Sequence, residues 1–153
     1  MPEQETLKRA RRDKRQGKSP TTQAGEFVRE EMHHIREGKH GATSTKQAIA
    51  IGLSKARRAG VKLGRPPANA TPRTKQSAKS ASRAGRRHGS KRTSPKRARA
   101  ARRALKREKH SVASHAALAR HARSAARRRS PRARSASAKK AAQTRERRRR
   151  AED

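Results

Sequence analysis

Residues 44–60, STKQAIAIGLSKARRAG, decide how this chain can fold. Ser44-Thr45-Lys46-Gln47 has the form of a capping box, in which the serine side chain accepts from the backbone N–H three residues on and the glutamine reaches back. Ile49, Gly52, Leu53 and Ala56 then recur at three- and four-residue spacing, which places them on one helical face. Lys55, Arg57 and Arg58 fall in the last turn, where cations complement the helix dipole, and Gly60 followed by Val61 fits a Schellman ending. The stretch predicts a helix over 45–59.

Working outward, Phe27, Val28, Glu31, Met32 and Ile35 have the same periodicity. Ser19-Pro20-Thr21-Thr22 supplies a start and Gly38 a stop, so a first helix is expected over 21–37. The simplest arrangement is an antiparallel hairpin joined by residues 39–43. Of the 14 large apolar side chains in 153 residues, nine lie between Phe27 and Leu63, which confines a folded module to residues 20–65. A pair this small is marginal alone and calls for a partner helix, a second copy or DNA.

The remainder is dominated by charge. Lys and Arg number 46 against 11 Asp and Glu, for a net charge of +35. Residues 1–65 carry 16 basic and 7 acidic side chains, and residues 66–153 carry 30 and 4, so +26 of the total resides in the second part. Low hydrophobicity with high net charge is the signature of chains that cannot close a core. The expected fold class is mainly α, a small helical hairpin followed by a largely disordered basic tail. Within it, 1–19 form a basic N-terminal arm and 66–95 a disordered basic linker, and 96–153 form an Ala/Arg/Lys-rich nucleic-acid-binding tail. Nascent helices are expected at 96–109 and 111–129, where good helix formers dominate. Ala98, Ala101, Leu105, Val112, Ala119, Ala122 and Ala126 make a thin stripe there, too poor for a coiled coil.

Several classes are excluded or disfavoured. With no cysteine there is neither a disulfide framework nor a thiolate metal site. No apolar run approaches the length of a membrane span or a secretory h-region, so a cytoplasmic location without membrane or small-molecule partners is expected. Asp13 and Asp153 are the only aspartates, and no glycine-rich phosphate loop follows a strand, which argues against an enzyme or a cofactor. Glu30, His33, His34, Glu37 and His40 share helical spacing, and Glu30-x-x-His33 has a form used in metal-binding bundles. Such sites take ligands from further helices, and 45–59 supplies none. The histidines are therefore read as exposed or helix-terminal, with no metal.

The charge itself points to a polyanion. At one phosphate per about 1.7 Å of axis, +35 matches roughly 60 Å of duplex. Arginine outnumbers lysine 31 to 15, which suits phosphate forks. Single-strand and RNA modules stack bases on aromatic rings, and this chain has one phenylalanine and no Tyr or Trp, which favours duplex DNA over RNA. Candidate phosphate contacts are Arg97, Arg99, Arg102, Arg103, Lys106, Arg107, Arg127, Arg128 and Arg129, with Arg147, Arg148, Arg149 and Arg150 as a terminal clamp. Candidate minor-groove contacts are Lys96, in Ser94-Pro95-Lys96-Arg97, and Arg65, in Gly64-Arg65-Pro66. The first resembles the Ser-Pro-basic-basic turns of linker-histone tails, with echoes at Thr71-Pro72-Arg73 and Ser130-Pro131-Arg132. The second resembles the centre of an AT-hook, with Leu63 replacing the leading arginine.

The Ser44–Gly60 string, preceded by the Met32-His33 pair and a basic glycine-containing turn, resembles a small, functionally uncharacterised bacterial domain family over about residues 25–65. The resemblance implies a bacterial, cytoplasmic origin and says little about mechanism. The Ala/Lys/Arg tail resembles linker-histone-like bacterial proteins that compact DNA. The expected function is accordingly non-enzymatic, largely sequence-independent duplex DNA binding in the nucleoid, by phosphate neutralisation, with a homodimer through residues 20–65 able to bridge duplexes. RNA or ribosome association, and a protein-interaction module with a localising tail, are the alternatives.

Overall fold

The computed structural model describes residues 2–86 and 94–152, with the side chains of Arg148, Ala151 and Glu152 outside the description. Among the described residues there are seven α-helices and no strand. They are α1 (Gln4–Arg15), α2 (Pro20–Arg36), α3 (Thr45–Arg58), α4 (Pro72–Arg86), α5 (Pro95–Lys106), α6 (His115–Arg127) and α7 (Pro131–Glu152), with a 3-10 turn at Ser111–Ala113 before α6. The chain divides into two compact units, residues 1–117 and 118–153, the division falling within α6.

Helices α2 and α3 form the expected hairpin. Ser19 caps α2 by accepting from Thr22 N–H at 3.3 Å, with Pro20 at the first helical position. Ser44 caps α3 by accepting from Gln47 N–H at 3.2 Å. The return half of that capping box reaches one residue further back than expected, because Gln47 Oε1 accepts from the N–H of Thr43 at 2.6 Å. Both helices close on Schellman turns. Gly60 has φ +90°, Val61 N–H donates to Ala56 O, and Gly60 N–H donates to Arg57 O. The same pattern ends α2 at Gly38, φ +73°.

The buried stripe of α3 is Ala48–Gly52–Ala56, and Ile49 and Leu53 flank it half-buried. A Cβ at residue 52 would lie 2.7 Å from the Cα of Val28, so only glycine lets the two backbones approach this closely. Ala56 meets Ala24 and Phe27 in a core completed by Ala10, with Leu7, Leu53, Val61 and Leu63 packed around it. Position 52 pairs with 28 while 56 pairs with 24, the order of an antiparallel pair. Phe27 and Ile35 are wholly buried and dominate the apolar contribution, at about 1.5–3 kcal/mol each.

The partner that the hairpin requires comes from the same chain. Residues 4–15, expected as part of a basic arm, form α1, which lays Thr6, Ala10 and Asp13 on α2. Its anchors are polar: Arg9 Nε donates to Glu26 Oε2 at 2.7 Å, and the buried Asp13 pairs with Lys18 at 2.7 Å. Residues 72–86, expected as part of a disordered linker, form α4, which rests on α3 through the small residues Ala81 and Gly85. The rest of that linker, 87–93, lies outside the described residues.

The tail expected from residue 96 does not stay free either. The end of α5 and the segment after it dock on the hairpin through backbone groups: Gly41 N–H donates to Leu105 O at 2.8 Å, and Ala42 N–H to Lys109 O at 3.2 Å. Thr45 Oγ1 donates to Val112 O at 2.7 Å, and Arg36 Nε to Ala113 O at 2.8 Å. Ala113 is fully buried there. In the second unit, α7 carries the last 22 helical residues, beyond the two nascent helices expected in the basic tail, and is capped by Ser130, whose Oγ accepts from Ala133 N–H at 3.2 Å.

Candidate functional site

Two arrangements stand out, a set of exposed cations and a buried carboxylate cluster. In the first, Lys96, Arg97, Arg99, Arg102 and Arg103 are exposed on α5, and Lys106 and Arg107 at its end. Six of these seven project from the 12 residues of the helix and Arg107 is its C-cap, with Ala98 and Leu105 as the half-covered positions of α5. In the second unit, Arg127, Arg128, Arg129, Arg147, Arg149 and Arg150 are also exposed, and the side chain of Arg148 lies outside the description. Some guanidinium groups are already engaged. Arg150 pairs with Glu146 at 2.6 Å, Arg128 Nε donates to Ser124 O at 3.2 Å, and Arg129 donates to Ala133 O at 3.1 Å and to Ser137 Oγ. Among the described residues beyond 66, Arg150–Glu146 is the only ion pair.

The minor-groove candidates separate from these. Lys96 follows Ser94-Pro95, and that pair forms the start of α5 rather than a free turn. Thr71-Pro72 and Ser130-Pro131 likewise open α4 and α7, with Thr71 Oγ1 accepting from Thr74 N–H at 3.2 Å. Proline suits a first helical position because its missing N–H would have no partner there. Arg65 is exposed on the segment 61–67, which has no regular secondary structure and whose Gly64 carbonyl accepts from Arg57 at 3.0 Å. It borders an open groove of about 810 Å³ between α3 and α4, together with Arg73.

The second arrangement lies at the C-terminal half of α2. Glu30 and Glu31 are both buried, Glu31 completely. Lys55 from α3 stands between them, 3.2 Å from Glu30 Oε1 and 2.7 Å from Glu31 Oε2. Glu30 Oε2 also accepts from the N–H of Glu3 at 3.2 Å, which ties the start of α1 to α2. The Glu31 contact is ionic and lacks hydrogen-bond geometry: among the described residues neither oxygen of Glu31 accepts a hydrogen bond. Its Oε1 faces His40 Nε2 at 3.4 Å.

The histidines divide. His33 is exposed, as expected, whereas His34 and His40 are mostly covered and lie edge to face, ring centroids 6.1 Å apart. Glu31, His34 and His40 each bring a ligand-type atom within 4.8 Å of the others. The sequence pattern singled out Glu30-x-x-His33, and the structure brings together the pair one residue on, Glu31-x-x-His34. His34 Nε2 bonds Glu3 Oε1 at 2.8 Å, and that bond is the main reason the Glu3 carboxyl titrates below its ordinary 4.5, with Lys39 adding to it. Lys39 bonds Glu37 at 2.9 Å, which lowers the Glu37 carboxyl and raises the Lys39 ammonium.

Residues 14–67 match the model of a family described as Family of unknown function (DUF6496). The match takes in α2, α3 and the whole Glu31–His34–His40 cluster. The uncharacterised-domain resemblance of residues 25–65 falls inside it. No curated protein matches the chain, and no solved structure does. Among the described residues no helix is long and apolar enough to cross a membrane.

Proposed function

We propose that this protein binds duplex DNA without strong sequence preference, by neutralising phosphates with the exposed cations of α5 and of the second unit. The observation that carries the reading is the near absence of acidic partners: 30 basic and 4 acidic side chains beyond residue 65, with one ion pair among the described residues. A helix bearing charges of one sign is held against its own repulsion, which a polyanion relieves. At 1.5 Å per residue α7 is about 33 Å long, close to one turn of B-DNA. Linker-histone-like compaction in the nucleoid is the biological form of this reading, and a homodimer through residues 20–65 is how two duplexes would be bridged.

A salt titration of duplex binding by the full chain tests it. Each phosphate contacted contributes about −0.9 to the slope of log K against log salt. A chain ending at residue 117 is expected to keep its fold and the α5 cations, and to lose the part of the affinity and of the slope that the second unit supplies. If neither changes, the second unit takes no part in phosphate binding. A clear preference for structured RNA at matched salt would replace DNA with RNA as the partner.

A further inference from the structure

A carboxylate taken completely out of water must regain its hydration from cations or donors. Glu31 regains it only in part, because among the described residues Lys55 is the one ammonium or guanidinium paired with it, and Lys55 is shared with the second buried carboxylate, Glu30. Two buried negative charges thus face one ammonium. The remaining oxygen, Glu31 Oε1, points at an imidazole nitrogen rather than at a second ammonium or guanidinium.

The two imidazoles are held in a way that frees one nitrogen of each. His40 Nδ1 lies 3.2 Å from the carbonyl oxygen of Gly41, which can only accept, so Nδ1 carries a proton and, in the neutral ring that a metal requires, Nε2 turns its lone pair toward Glu31. His34 Nε2 lies 2.8 Å from Glu3 Oε1, which places its proton there and leaves Nδ1 as the unprotonated nitrogen. A metal-bound histidine characteristically donates its other N–H to a backbone carbonyl or a carboxylate, and here one of each is present.

We propose that Glu31, His34 and His40 form a binding site for a divalent transition-metal ion of the zinc class. One carboxylate and two imidazoles are the donors that Zn²⁺ takes at about 2.0–2.2 Å, and two imidazole nitrogens disfavour Mg²⁺ and Ca²⁺. Donors around a tetrahedral Zn²⁺ are about 3.4 Å apart at those bond lengths. Glu31 Oε1 and His40 Nε2 are already 3.4 Å apart, and His34 brings a ring nitrogen within 4.8 Å of a donor atom on each of those two residues. The ion supplies the charge that the Glu30–Glu31–Lys55 group lacks. It joins α2 to the 39–43 turn and, through Glu3, to the start of α1. The fourth position is left to water.

The test uses the full chain and Zn²⁺ alone, titrated against a chromophoric competitor, with the thermal midpoint read in parallel. One equivalent is expected to bind and to raise the midpoint. His34→Ala and His40→Ala are each expected to weaken binding at least about tenfold and to abolish the rise, while His33→Ala leaves both unchanged. Glu3→Gln, which keeps the side-chain shape at a half-exposed position and leaves the Glu3 N–H bond to Glu30 in place, is expected to cost about tenfold, the loss typical of an outer-shell partner. Co²⁺ in place of Zn²⁺ is expected to give the intense visible band of a tetrahedral site. Zinc binding that survives the His34, His40 and Glu3 changes, or several weak equivalents without a rise in midpoint, overturns the proposal. A site that holds only a proton on His40 gives that same null result with zinc.

Discussion

The Lys55 ammonium stands 2.7 Å from Oε2 of Glu31, a carboxylate with no exposed surface, and so binds α3 to α2 through charge as well as packing. Removing one partner of a buried pair leaves the other uncompensated, typically at a cost of about 3–5 kcal/mol. Lys55→Ala is expected to destabilise the protein by that order in urea denaturation. Glu31→Gln in the same background is expected to restore part of the loss, and a Lys55→Ala chain as stable as the parent contradicts the pairing.

Gly52 sets the distance between α2 and α3. A Cβ there would sit 2.7 Å from Val28 Cα, backbone that cannot rotate away. Gly52→Ala is expected to cost about 1–3 kcal/mol, the range for overpacking, even though alanine is the better helix former. Equilibrium unfolding measures it, and a stabilised variant would mean the helices lie further apart.

At Gly41 the close approach is to a different segment, because a Cβ would fall 2.0 Å from the Glu108 carbonyl oxygen. Gly41→Ala is expected to undock residues 105–113 while leaving α2 and α3 helical. Faster trypsin cleavage at Arg107 and Lys109, with near-parental circular dichroism, is the expected outcome.

The Glu37 carboxyl titrates below its ordinary 4.5 because Lys39 bonds its charged form. The unfolded chain therefore takes up the proton first, so the stability this pair contributes is present above about pH 4.5 and is lost as pH falls through the folded value. Both groups are exposed, so the contribution is small. Glu37→Gln is expected to lower the urea midpoint slightly at pH 7 and not at all in strong acid.

Arg150 is held by Glu146 at 2.6 Å, whereas Arg147 and Arg149 have no ion pair among the described residues. Arg147→Gln with Arg149→Gln is expected to flatten the salt dependence of DNA binding by up to about 1.8, at 0.9 per contact. Glu146→Gln, by freeing Arg150, is expected to steepen it by about 0.9.

The hairpin was legible because its signals are local. Ser19 and Ser44 cap, Gly38 and Gly60 terminate, and Phe27 and Ile35 recur at helical spacing. Helix α1 was not, since it has one large apolar residue, Leu7, and its buried face is Thr6, Ala10 and Asp13. Helix α4 hides in the same way behind Ala81 and Gly85. The Ser/Thr-Pro pairs at 71–72, 94–95 and 130–131 did carry a usable signal. They repeat the Ser19-Pro20 start of α2, but their basic neighbours drew them toward a groove-binding reading. The metal-type cluster lay one residue from the pattern that sequence spacing singled out, because burial selects Glu31 and His34 over the exposed His33.

The sequence by itself determined that this protein is helical, that its folding signals concentrate between residues 20 and 65, and that +26 of its +35 charge lies beyond them. Capping, periodicity and net charge are properties of near neighbours or of simple sums, and a sequence states both. Only the tertiary structure decided that α1, α4 and residues 105–113 pack on the hairpin, and that Glu3, Glu31, His34, His40 and Lys55 meet. Those contacts are made by small residues, backbone carbonyls and ion pairs between residues distant in the chain, whose energies depend on burial and distance.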